Sequence, residues 1–92
     1  MKNENFGDMI KELLYAYGYG DRIQRYELMK HWEEIVGPQV ARFTQDLKIK
    51  NGILWIKVDE AVVKDVMFHK RQEILERVNK ILGNKITELK FL

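Results

Sequence analysis

The chain has 92 residues, 46% of them apolar, with 16 Lys/Arg against 14 Asp/Glu for a net charge of +2; this is enough for one small core and too apolar for a disordered segment. It contains no cysteine and no serine, which excludes disulfides and Cys or Ser nucleophiles. No run approaches the roughly 18–20 apolar residues of a membrane span, and the polar start Met1-Lys2-Asn3-Glu4-Asn5 lacks the apolar stretch of a signal peptide, so a single cytoplasmic domain over 1–92 is expected.

Asn5 to Tyr17 is predicted as a first helix, because Phe6, Met9, Ile10, Leu13, Leu14 and Tyr17 recur at helical spacing and Gly18 stands at the expected stop. Tyr15, Tyr17 and Tyr19 cluster at this end, with Tyr17 expected to pack inward. Asp21 is placed to cap a second helix, and Gln24 three residues on completes a capping box. Leu28, Met29, Trp32, Ile35 and Val36 form its apolar stripe, with Trp32 read as core. Gly37 ends that helix, and Pro38 suits the first turn of a short follow-on helix to Arg42.

The middle of the chain reads as a hairpin. Asp46-Leu47-Lys48-Ile49-Lys50 alternates polar and apolar strictly, and Asn51-Gly52 then offers the two positive-φ residues of a type I′ turn. In the returning run, Leu54, Ile56 and Val58 share one face while Ile53, Trp55 and Lys57 share the other. Asp59 is a candidate N-cap for a third helix running to about Leu82, with Val63, Met67, Ile74, Val78 and Ile81 turned inward. Lys64, Phe68 and Arg71 line a neighbouring stripe. Gly83-Asn84 closes the helix, and Lys85 to Leu92 reads as a last strand with Leu89 and Phe91 inward and Glu88 and Lys90 outward. The order α-α-β-β-α-β predicts an α+β, two-layer sandwich with a three-stranded sheet.

Chemistry concentrates on the outer face of the hairpin. Trp55 stands there among Lys48, Lys50 and Lys57, and Lys64 and Arg71 extend the set of candidate nucleic-acid-binding residues. Residues 1–46 hold 6 Lys/Arg against 8 Asp/Glu, net −2, whereas residues 47–92 hold 10 against 6, net +4. A basic half with an exposed aromatic suits phosphate contact and base stacking; the plainer reading of the same charges is a solvated surface. His31 and His69 lack ligand spacing, and Gly18-Tyr19-Gly20 is too short for a phosphate loop. No catalytic residue, metal or cofactor is expected, and the chain is not read as an enzyme.

With the order of elements in place, Trp32-x-x-Ile35-Val36-Gly37, Thr44, Asn51-Gly52-Ile53-Leu54-Trp55-Ile56-Lys57-Val58, Ala61-Val62-Val63-Lys64-Asp65-Val66, Leu82-Gly83 and a terminal strand resemble the DciA family, also known as domain of unknown function 721. The resemblance runs from about Ile10 to Phe91. It implies a bacterial protein with a K-homology-like domain that assists loading of the DnaB-type replicative helicase on single-stranded DNA during chromosome replication. Longer members carry a C-terminal extension linked to helicase contact, and these 92 residues include no such segment. The Gly-x-x-Gly backbone clamp of true K-homology domains is also absent from the sequence. Two functions are therefore set side by side: a nucleic-acid-binding replication accessory, and a protein–protein adaptor or dimerising module in which Trp55 and Ile53 form a docking patch.

Overall fold

In the computed structural model, which describes residues 6–92, the elements run α1 (Phe6–Ala16), α2 (Gly20–Val36), α3 (Pro38–Phe43), β1 (Thr44–Lys50), β2 (Ile53–Val58), α4 (Ala61–His69), α5 (Arg71–Leu82) and β3 (Glu88–Phe91). The expected helix start at Asn5 and the polar stretch Met1–Asn5 lie outside the described residues. Among the described residues no helix is long and apolar enough to cross a membrane.

The hairpin forms as its alternation demands. Asn51 and Gly52 take φ of 53° and 79°, and β1 pairs antiparallel with β2 through Leu47↔Ile56, Lys48↔Trp55 and Ile49↔Leu54. A register shift between Thr44 and Asp46 marks a bulge where β1 leaves α3. The last strand joins the other side of β2, parallel, in the order β1-β2-β3. Leu47, Ile49, Leu54, Ile56 and Val58 fill the inner face, packed with Leu28, Trp32 and Ile35 of α2 and with Met67, Ile74, Val78 and Leu82 of α4 and α5. The helices cover that one face, as the α+β reading required.

Trp32 is only 5% exposed, and its indole Nε1 donates to the Thr44 hydroxyl at 2.9 Å, which in turn donates to the Val40 carbonyl at 3.2 Å. A single aromatic thus ties α2, α3 and the start of β1 together with its one polar atom satisfied. Across the helix layer, Arg77 of α5 donates to the Ile35 carbonyl at 2.9 Å, placing a cation at the C-terminal end of α2, where the helix dipole favours it. At the far end of α5, Gly83 adopts φ 75° and Asn84 φ 63°, the left-handed close that the Gly-Asn pair anticipates. Asn79 spans this turn: its amide donates to the Ile86 carbonyl at 2.8 Å and its carbonyl oxygen accepts from the Ile86 N–H at 2.9 Å. Asn79→Ala strands both Ile86 groups, so a loss of about 1–3 kcal/mol in urea unfolding is expected; an unchanged midpoint would show that the turn holds itself.

Several local expectations are corrected. The third helix is two: it breaks at Lys70 (φ −105°, ψ 18°), where the Arg71 guanidinium takes the Phe68 carbonyl at 2.8 Å that a continuous helix would offer to the N–H of Gln72. Its N-cap is Glu60, whose carboxylate accepts from the Val62 N–H, while Asp59 instead accepts a hydrogen bond from Gln45. Asp21 is not a cap, because α2 begins one residue earlier at Gly20, with Tyr19 at the N-cap and no side-chain bond; Asp21 sits in the first turn, and the capping box with Gln24 does not form. Ile81 lies at the surface and Leu82 takes the inward place, a shift that follows from restarting the helix at Arg71. Met29 is half exposed rather than core. The strand predicted from Lys85 to Leu92 is the shorter Glu88–Phe91.

The largest departure is α1. Its apolar residues follow the expected spacing, yet none is buried, and Tyr17, expected to pack inward, is 73% exposed. The helix touches α2 through the Lys11–Glu27 ion pair at 3.4 Å and leaves Phe6, Met9, Ile10 and Leu13 in solvent.

Candidate nucleic-acid interface

Strand alternation on the uncovered side of the sheet brings one aromatic and several cations together. Trp55, on the central strand, has Lys48 of β1 as its partner on one side and Lys90 of β3 on the other, and the Lys90 ammonium lies 5.6 Å from the indole centroid. Lys50 pairs with Ile53 and Lys57 with Asp46 on this same face. Asp46, Lys48, Lys50, Trp55, Lys57 and Leu92 line a shallow concavity there. Trp55 is half-buried by these neighbours, whereas Lys48, Lys50 and Lys57 are exposed.

The two carboxylates on this face are already engaged. Asp46 accepts from Arg25 of α2 at 2.7 Å, and Glu88 lies 3.9 Å from Lys90. The hydrogen bond from the Arg25 guanidinium holds the Asp46 carboxyl below its ordinary value. The stability this lends is present at neutral pH and fades as pH falls through the lowered value; it is small, because the pair is exposed. Among the described residues no ion pair involves Lys48, Lys50 or Lys57, so their charge is available to a ligand.

Of the residues singled out from sequence, Lys48, Lys50, Trp55 and Lys57 share this face. Lys64 and Arg71 do not. Lys64 lines a separate cleft beside β3, with Asp65, Phe68, Leu89, Lys90 and Phe91. Arg71 stacks on Phe68, 4.1 Å from the ring centroid, while holding the Phe68 carbonyl. Three cations escaped the sequence reading. Lys90 was placed outward on its strand but not beside Trp55, because only the parallel pairing of β3 brings it there. Arg22 and Arg25 line a second groove along the β1 edge with Lys48 and Lys50, where Asp21 and Asp46 also stand; their helical spacing was the available signal. Among the described residues no group of His, Cys, Asp or Glu could hold a metal ion.

The sequence model of one family, described as "Dna[CI] antecedent, DciA", matches residues 5–91. A curated protein of Corynebacterium glutamicum (strain R), described as a UPF0232 protein, is 28% identical over 88 residues, which is 95% of this chain and 49% of that protein. The chain therefore spans about half the length of the curated relative it matches. With a family match across nearly all its residues, this chain belongs to the DciA family.

Proposed function

We propose that the chain is a nucleic-acid-binding accessory of bacterial DNA replication that binds single strands on the outer face of its sheet and assists loading of a DnaB-type helicase. The observation that carries the binding is Trp55 flanked across both strand pairs by Lys48 and Lys90, on the sheet face opposite the one the described helices cover. Bases stack on an indole without sequence preference, and the flanking ammonium groups neutralise phosphates. The helicase role rests on family membership and is tested separately, by pulldown with the host's replicative helicase.

With about three lysines each neutralising one phosphate, log K against log salt has a slope near −2, from roughly −0.7 per contact on a single strand. Fluorescence anisotropy with labelled oligonucleotides across a salt series measures it. Lys48→Ala and Lys50→Ala are each expected to flatten the slope by about 0.7 with no change in base preference. Absence of binding even at low salt would overturn the nucleic-acid reading. A protein–protein adaptor would then take its place, a second reading favoured by the apolar side of α1, where Phe6, Met9, Ile10 and Leu13 stand in solvent.

A further inference from the structure

We infer that β3 is a self-complementary edge along which two copies of this chain pair antiparallel, with Leu89 on the two-fold axis. The strand ends the order β1-β2-β3, and among the described residues nothing pairs beyond it. Its register on β2 is Leu54↔Leu89, Trp55↔Lys90 and Ile56↔Phe91, and the Leu92 N–H donates to the Ile56 carbonyl at 2.9 Å. In a parallel pair, backbone groups alternate between the two sides. Lys90 and Leu92 therefore turn theirs to β2, and Leu89 and Phe91 turn theirs to the open edge.

Parity and charge together decide the register. Leu89 or Phe91 can lie on the axis as a hydrogen-bonded pair and Lys90 as a non-hydrogen-bonded one, but Lys90 on the axis would set two ammonium groups directly opposite each other. With Leu89 on the axis, the two Leu89 residues exchange N–H and carbonyl, and each Phe91 N–H faces the Thr87 carbonyl of the second copy. Glu88 then stands opposite Lys90 of the second copy, twice, on the outer face. With Phe91 on the axis, Lys90 would face Leu92 and both charge pairs would be lost. The tetrapeptide Glu88-Leu89-Lys90-Phe91 is thus matched to its own reverse.

The surface beside the edge fits the same partner. Phe68 is 49% exposed and packs edge-to-face on Phe91 at 6.2 Å, and Leu89 and Phe91 are themselves only half-buried. The rim of this cleft holds Asp65 together with Lys64 and Lys90, so both signs are present, as on the matching edge of a second copy. Pairing would join two sheets into one of six strands. It would set the two Trp55 side chains three strand spacings apart, roughly 14 Å, on one continuous basic face. The pairing itself stands whether or not that face binds nucleic acid.

Sedimentation equilibrium on the full chain, without nucleic acid, tests it. The expected mass at high protein concentration is twice the 11.0 kDa of one chain. Glu88→Lys and Lys90→Glu each set like charges opposite one another, and each is expected to weaken the dimer about tenfold. The double exchange Glu88→Lys with Lys90→Glu restores opposite charges and is expected to recover it. Amide exchange at Leu89 and Phe91 in the unaltered protein should also slow as concentration rises, a readout that needs no variant to fold. A chain that stays monomeric at every accessible concentration overturns the inference, as does a double exchange no stronger than either single one.

Discussion

Trp32→Ala is expected to lower stability by about 3–5 kcal/mol, the range for deleting a buried large aromatic. The side chain is nearly sealed in the core, and its removal opens a void between α2 and the sheet. It also strips the Thr44 hydroxyl of its donor from Nε1, leaving that hydroxyl bonded to the Val40 carbonyl alone. The loss is comparable to the whole stability of a small domain, about 5–15 kcal/mol. Guanidinium unfolding followed by circular dichroism would read it as a lowered midpoint. A variant that melts within a few degrees of the parent would contradict the core role. Trp32→Phe, which keeps most of the volume and loses the hydrogen bond, separates packing from the Thr44 contact.

Trp55→Ala should behave in the opposite way. The indole lies on the uncovered face, so its removal costs lateral contact with Lys48 and Lys90 and not the core; about 1 kcal/mol or less of stability is expected from such cross-strand neighbours. Affinity for single-stranded oligonucleotide should fall by about 1–3 kcal/mol for each base stacked there, roughly 5- to 150-fold. Melting and anisotropy measured on the same sample decide the matter. If the variant is strongly destabilised while its folded fraction binds as before, Trp55 is a structural residue and the platform reading fails.

How much of this was legible beforehand depended on whether the signal was local. The hairpin was, since Asn51-Gly52 sets its own turn and strict alternation assigns each face. The burial of Trp32 followed from its place on the α2 stripe. The helix break at Lys70 carried no Gly or Pro to announce it; it is marked by the Arg71 side chain taking a carbonyl the next turn would have used. The α1 stripe shows the limit of periodicity, which tells which side of a helix is apolar but not whether anything covers it. Lys90 was out of reach for a different reason: its place beside Trp55 is set by a parallel pairing between strands distant in the chain.

That distant pairing bears on how the domain is made on the ribosome. β1 and β2 are neighbours in sequence and can close as soon as Val58 has emerged, whereas the other side of β2 waits for β3, which follows α4 and α5. Until then the central strand has an open flank and its Leu54 and Ile56 lack the cover of Leu89 and Phe91. Closing so long a crossover is entropically slower than closing a two-residue turn. The nascent chain therefore carries a sticky apolar strand for much of its synthesis, the kind of intermediate on which chaperones act. Pausing translation before Glu88 should raise aggregation more than pausing it before Asn51, when the returning strand has not yet been made.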